Sequence, residues 1–370
     1  MQEMLSGLFI PLDFYSAIQI VVLGFVGGVL SGFIGSGGAF FMTPGMMNIG
    51  VQGVVAVASN ITHKFGKAMV GSHKHGEMGN VDKKLAMFLL ITAAAGIRLA
   101  VWVSSLLFES GGGSHGDKGA GANLYISLVF VGILTAVAIS MAKDLMSHKG
   151  GEEGGDAGPS RKIADYLARL NLPPMIYFKV ADVRVSLWIL LLVGLATGYL
   201  AGTIGVGGFI GVPAMIYVFG IPTAVAAGTE LYLAMFMGAF GAINYAWAGY
   251  VDIRMTLLLY LGSLIGVHLG TYGVKVVNER YIRMVTAVII LLCVLSRFLA
   301  MPVYLRQLEI LGISADLDVW FNGASKALLF ASGIAGTGII LYHVARAYRQ
   351  RRRLKSSLSA ARPAAEPVQA

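Results

Sequence analysis

The sequence predicts an all-α polytopic membrane protein with two inverted-topology repeats, each opening with a Gly-broken short helix pair, plus one extra C-terminal transmembrane helix. Three observations carry this expectation. The 370 residues are 56% hydrophobic and only 13% charged, with a mean hydropathy of +0.73, which excludes an ordinary soluble domain. Apolar segments near the ~20 residues that span a bilayer recur along the chain, among them 124–142, 187–204, 255–274, 281–300 and 323–344. Residues 28–44, GVLSGFIGSGGAFFMTP, return as residues 198–213, GYLAGTIGVGGFIGVP.

The duplication keeps a single offset of 170. Gly28, Gly32, Gly35, Gly37 and Gly38 fall on Gly198, Gly202, Gly205, Gly207 and Gly208. Further downstream, Gly50 falls on Gly220, Ala56 on Ala226, Ser59 on Thr229, Val81-Asp82 on Val251-Asp252 and Lys84 on Arg254. Glycines that interrupt apolar segments at matched points of two halves point to a binding site between repeats, the arrangement of a transporter.

The elements follow in order. Residues 16–50 are apolar but broken at Gly35–Gly38 and Pro44, so two short helices with a turn are expected. Further helices are expected over 52–73, 84–107 and 124–142, with SGGGSHGDKGAGAN (110–123) as a flexible loop, completing a first repeat over 1–142. A cytoplasmic linker occupies 143–185. Within it GGEEGGDAGPS (150–160) is flexible, and RKIADYLARL (161–170) sets Ile163, Leu167 and Leu170 at helical spacing, as an interfacial amphipathic helix would. The second repeat, 186–300, holds a broken element at 187–219 and spans at 223–248, 255–275 and 281–300. A loop and unmatched span fill 301–345, and a basic tail fills 346–370.

The net charge of +9 is concentrated just past the last span, in Arg346, Arg349, Arg351, Arg352, Arg353 and Lys355. That placement reads as a cytoplasmic C-terminus facing anionic lipid, not as a nucleic-acid surface. Counting spans back from it puts the 143–185 linker inside and the N-terminus outside. Residues 1–15 fit, since they contain no Lys or Arg, and for the same reason they do not read as a cleaved signal peptide. The segments 52–73 and 223–248 then cross in opposite directions, which inverts the repeats. The expected location is a cell membrane, with a bacterial inner membrane favoured. The lone Cys293 excludes an intramolecular disulfide or a cysteine metal cluster, and no cofactor is expected.

Candidate site residues fall into three groups. Gly35, Ser36, Gly37 and Gly38, with Gly205, Gly207 and Gly208, would present helix N-termini and bare N–H groups to an anion near the midplane, or would only let helices pack closely. They lack the spacing of a nucleotide-binding loop. Arg98 and His268 share one repeat position mid-span. There Arg98 suits an oxyanion and His268 a coupled proton, unless each is only paired structurally. Helix 52–73 adds Asn60, His63, Lys64 and Lys67, with His63 and Lys67 on one face. The second half has Leu233, Ala234 and Met237 in place of that basic group, but sets Glu230 opposite Asn60, as a counter-charge or proton carrier. Thr229 is a neutral hydrogen-bonding candidate, while Asp82 and Asp252 are read as helix caps.

GSGGAFFMTP and GVGGFIGVP, with GNVDKKLA (79–86) and GYVDIRMT (249–256), resemble the sulfite exporter TauE/SafE family, also called TSUP, over about residues 20–105 and 190–300. The resemblance implies a secondary permease for a small sulfur-containing anion such as sulfite, an organosulfonate or thiosulfate. The chain departs from the family pattern at Ser36 and Ala39 and in long 108–123 and 143–185 loops, and these bear on substrate identity. Expected partners are that anion and the lipid bilayer, with no nucleic acid and with a homo-oligomer left open. A passive anion channel of the same architecture is the alternative. It would keep the basic residues without needing Glu230 or His268 to titrate. No Gly-x-Ser-x-Gly, His-Glu-x-x-His or ATP-binding pattern occurs, so neither an enzyme nor an ATP-driven pump is expected.

Overall fold

A computed structural model of the chain describes residues 8–34, 38–110, 118–147, 172–205, 207–274, 277 and 279–360. Among these the first repeat comprises α1 (Phe14–Ile34), α2 (Ala39–Asn48), α3 (Gly53–Glu77), α4 (Lys83–Ser110) and α5 (Ala120–Ser147). A two-stranded hairpin, β1 (Met175–Phe178) and β2 (Val183–Ser186), follows. The remainder is α6 (Leu187–Ile204), α7 (Gly208–Tyr217), α8 (Thr223–Trp247), α9 (Ile253–Val274), α10 (Glu279–Gln307) and α11 (Leu317–Ala360). Eight of these helices are long and apolar enough to cross a membrane: α1, α4, α5, α6, α8, α9, α10 and α11. The chain is a multi-pass membrane protein. α3, expected as a span, falls outside that set, since Lys64 and Lys67 sit in the middle of its sequence.

Helix boundaries repeat with the sequence. α1 and α6 end at Ile34 and Ile204, α3 and α8 run over 53–77 and 223–247, and α4 and α9 start at Lys83 and Ile253. The connecting glycines repeat too: Gly50 with Gly220, and Gly79 with Gly249, all have positive φ, a conformation that a Cβ disfavours. The broken elements differ from expectation in one respect. Their first limbs are not short: α1 has 21 residues and α6 has 18, and only α2 and α7, at 10 residues, are half-length. Ten residues rise ~15 Å, half of a ~30 Å hydrocarbon core. α2 brings the chain back to the end from which α1 started. Tyr15 and Ile18 of α1 line a groove with Lys326 and Ala327 of α11, and Asn48 at the end of α2 bonds the adjacent Ser325.

The two repeats interlock by exchanging their first helices. The most extensive pairings are α1 with α9, α4 with α6, and α3 with α8. In the first, a Cβ on Gly24, Gly28 or Gly32 would collide with the backbone at Leu259, Ser263 and Val267. In the second, a Cβ on Gly194 or Gly198 would collide with the backbone of Leu89 or Ala93, and one on Gly202 would press on Ile97 at 3.2 Å and collide with the Ala100 side chain. Each of these contacts is the other's copy at the repeat offset. Both seams run parallel, and their glycines bring backbones together where packing, rather than hydrophobic burial, drives association. α3 and α8, copies of one another, pack antiparallel: Ile61 meets Gly241, Phe65 meets Gly238, and Gly71 meets Leu231.

α10 packs on α5 and α11, placing α11 against the outside of the duplicated core. The expected loop at 110–123 overlaps the start of α5 at Ala120, and its residues 111–117 lie outside the described residues. So do the amphipathic segment 161–170 and the flexible run 150–160. In the same linker the β-hairpin was not expected. It docks through Asp82, whose Oδ2 accepts from the N–H groups of Val180 and Ala181 at 3.0 and 3.2 Å, while Lys84 reaches the Tyr177 carbonyl at 3.1 Å. Asp82 also caps α4 as expected, accepting from the Leu85 N–H at 3.0 Å. Asp252 caps α9 and pairs with Arg254 at 2.8 Å.

Candidate functional site

The end of α6, the start of α7 and the middle of α3 meet in the interior. Gly205 closes α6 with φ +74°, a left-handed turn that a side chain would strain, and its N–H reaches the Ala201 carbonyl. The break comes level with Ile97 and Ala100, which face Gly202 from near the middle of α4. α7 then starts at Gly208; the N–H groups of Ile210 and Gly211 bond the capping Gly207 carbonyl at 3.2 and 3.0 Å, and those of the first two residues have no carbonyl of their own helix to bond. Its positive end therefore opens beside α3, the polarity that holds an anion.

A polar chain ties the helices around this break. Asn60 of α3, fully buried, donates through Nδ2 to the Ala39 carbonyl at 3.1 Å and to the Thr43 hydroxyl at 2.8 Å. Thr43 in turn donates to the Ile204 carbonyl at 3.1 Å. The first turn of α2 and the last turn of α6 thus converge on one side chain. Gly38, before α2, packs against the backbone of Gly27 so tightly that a Cβ would lie 2.7 Å from its Cα.

Lys64 and Glu230 face α7 from opposite helices. A Cβ on Gly207 would stand 3.1 Å from Lys64 Nζ, and one on Gly211 would stand 3.1 Å from Glu230 Oε1 and closer to Oε2. These two glycines are four residues apart on one face of the chain entering α7, so ammonium and carboxylate lie over successive turns and feel each other's charge. Glu230 is only 3% exposed, and among the described residues neither of its oxygens has a hydrogen-bond partner. Asn60 Oδ1, at the repeat-equivalent position, is also buried and unpartnered. Unmet acceptors on both sides of a break are costly in an apolar interior and signal an unfilled role.

His63 and Lys67 lie on an adjoining face of α3, toward α1 and α9. The His63 ring bonds the Ser263 hydroxyl at 2.6 Å through Nε2 and meets the Tyr260 ring at a tilt with ring centres 4.7 Å apart, and Lys67 bonds the Ser31 hydroxyl. Thr229 looks elsewhere: its hydroxyl accepts from the Asp82 N–H at 3.0 Å and holds the turn before α4. Arg98 and His268 are not brought to this centre. Both stand exposed on the outer side of their helices, Arg98 donating to Asn244 Oδ1 at 2.9 Å and His268 meeting the Leu264 carbonyl at 2.7 Å through Nδ1. The glycine seams explain why: Gly96 and Gly266 occupy the inward faces of α4 and α9, which turns positions 98 and 268 outward. Gly35, Ser36 and Gly37 lie outside the described residues, whereas Gly38, Gly205, Gly207 and Gly208 line the two breaks.

A fold of interlocked, glycine-broken repeats around buried charges is matched by one family profile, sulfite exporter TauE/SafE, over residues 20–297. The chain belongs to the sulfite exporter TauE/SafE family. Two similar proteins are both from Bacillus subtilis (strain 168). Probable membrane transporter protein YjnA is 25% identical over 278 residues, covering 74% of this chain and 97% of that one. Probable membrane transporter protein YunE is 23% identical over 286 residues, covering 75% and 95%. No solved structure matches the chain.

The TauE/SafE match contains Asn60, Lys64 and Glu230 and stops at Arg297, so α11 lies beyond it. The sequence pattern held a signal for Lys64 that the His63–Lys67 pairing obscured: Asn60 and Lys64 are four apart and share a face. Thr43 carried no comparable signal, because only the fold brings α2 against the end of α6.

Proposed function

We propose that this TauE/SafE family member is a secondary transporter that moves a small sulfur-containing anion (sulfite, an organosulfonate or thiosulfate) by alternating access around the α6–α7 break. The single observation that carries this reading is the placement of half-buried Lys64 and buried Glu230 against the N-terminal turn of α7. The naming of both Bacillus relatives as membrane transporters supports transport over catalysis. The antiparallel packing of α3 on its copy α8 supports inverted repeats, and the basic residues at the end of α11 support a cytoplasmic C-terminus with the N-terminus outside.

In this mechanism the anion lies between Lys64 Nζ and the N–H groups that open α7, where Gly207 and Gly208 put no Cβ in the way. Glu230 competes with it for Lys64. A proton on Glu230 removes that competition, so anion and proton occupy the site together, and the loaded site is closer to neutral when the helices rearrange. Lys67, His63, Ser31 and Ser263 supply a polar path from the centre between α1, α3 and α9.

Flux into proteoliposomes tests the proposal, comparing sulfite, thiosulfate, a short sulfonate, sulfate and chloride with and without a pH gradient. Saturable flux of one sulfur anion, accelerated by the gradient, is expected. Non-saturating, gradient-insensitive flux of every anion would establish the channel instead, and no flux of any sulfur anion would refute the substrate class.

A further inference from the structure

A buried cation lies away from the central break, where α2, α10 and α11 meet. Arg297 is 1% exposed and is the largest fully buried side chain among the described residues. Its contacts are few and long: Nη2 to the Ser325 hydroxyl at 3.3 Å and Nη1 to the Tyr304 hydroxyl at 3.5 Å, while Nε has no partner. No described carboxylate pairs with it. Asp318, on the same pair of helices, is held by Arg306 Nε at 2.9 and 3.0 Å. The adjoining Ser296, Ser325 and Asn48 bond one another and the Ser296 and Ser325 carbonyls, which uses up the local acceptors. Five guanidinium N–H groups therefore meet two hydroxyls, in a segment whose surroundings do not hydrate a charge.

We propose that Arg297, with the Ser325 and Tyr304 hydroxyls, forms a binding site for a small monovalent anion of chloride type, separate from the central site. The anion supplies the charge and the acceptor that the guanidinium lacks, the Tyr304 hydroxyl turns its proton toward it, and the Ser325 hydroxyl, whose own proton goes to the Ser296 carbonyl at 2.7 Å, holds Nη2 in place. Ser325 belongs to α11 and Tyr304 to the part of α10 beyond the family match, so the site is built by the helix added to the duplicated core. Its occupant pins α11 to α2 and α10 without taking part in the exchange at Lys64.

The test is equilibrium binding of radiolabelled chloride to the full-length protein in detergent, with melting temperature followed as sodium gluconate is replaced by sodium chloride at constant ionic strength. Saturable binding and a rise of roughly 2–4 °C are expected for the wild type. Arg297→Met should lose both, Ser325→Ala and Tyr304→Phe should each weaken binding several-fold, and Lys64→Met should leave binding unchanged. If Arg297→Met does not fold, the Ser325 and Tyr304 variants carry the comparison. Absence of chloride binding in the wild type would overturn the site and leave Arg297 neutralised in place by neighbouring carbonyls. Binding lost in Lys64→Met but kept in Ser325→Ala and Tyr304→Phe would overturn it by moving the chloride to the central break. Because the readout is binding, a failure here is distinguishable from a failure of the transport proposal.

Discussion

At the scale of single residues, the proposed function rests on charged groups that the described residues leave without a hydrogen-bond partner. Glu230 is the clearest case: a carboxylate with 3% exposure, no hydrogen-bond partner among the described residues, and a glycine at its face. Glu230→Gln keeps the shape and removes the titration. Uptake by this variant is expected to lose its acceleration by a pH gradient while exchange of anion for anion persists, as read by paired uptake and counterflow assays. Gly205→Ala is expected to destabilise the protein by about 1 kcal/mol or more, measured as a lower melting temperature, because its φ of +74° strains any side chain. Part of this site was legible in the sequence. Asn60, Glu230 and the paired glycines stand out because an offset of 170 sets one against the other. Arg98 and His268 stood out equally, but their spacing from Gly96 and Gly266, which decides the face they occupy, acquires meaning only when the seams are seen.

At the scale of elements, the two glycine seams do the joining. A Cβ on Gly28 would lie 2.7 Å from Ser263 Cα, and one on Gly198 would lie 2.6 Å from the Ala93 carbonyl carbon. Gly28→Leu and Gly198→Leu are therefore expected to be equally disruptive, each costing upward of about 1–3 kcal/mol, whereas leucine at Gly132, whose Cβ position is open, should be tolerated. Thermal unfolding in detergent checks the ordering, and a tolerated seam leucine would contradict it. Helix existence and most helix ends were legible, because apolar length and glycine breaks set both. The β-hairpin over 175–186 was not: four-residue strands give little periodicity, and its stability comes from Asp82 and Lys84, distant in sequence.

At the scale of the whole molecule, exchange of first helices makes neither repeat a separable half. α1 completes the second repeat through α9, and α6 completes the first through α4. Inverted topology follows if copies α3 and α8 cross the membrane in opposite directions, and it has a direct check. In a Cys293→Ala background, Met78→Cys is expected to react with an impermeant thiol reagent only from inside the cell, and Ala248→Cys only from outside. Labelling of both from one side would contradict the inversion.

The measurement closest to the centre of this account is sulfite uptake by proteoliposomes containing Lys64→Met beside the wild type, at matched protein incorporation. Lys64 Nζ stands beside Gly207 at the α6–α7 break, so uptake is expected to fall at least about 100-fold, the loss of a charge-assisted contact of roughly 3 kcal/mol. Wild-type rates in a folded Lys64→Met protein would show that the anion does not pass this break, and the site would have to be sought elsewhere.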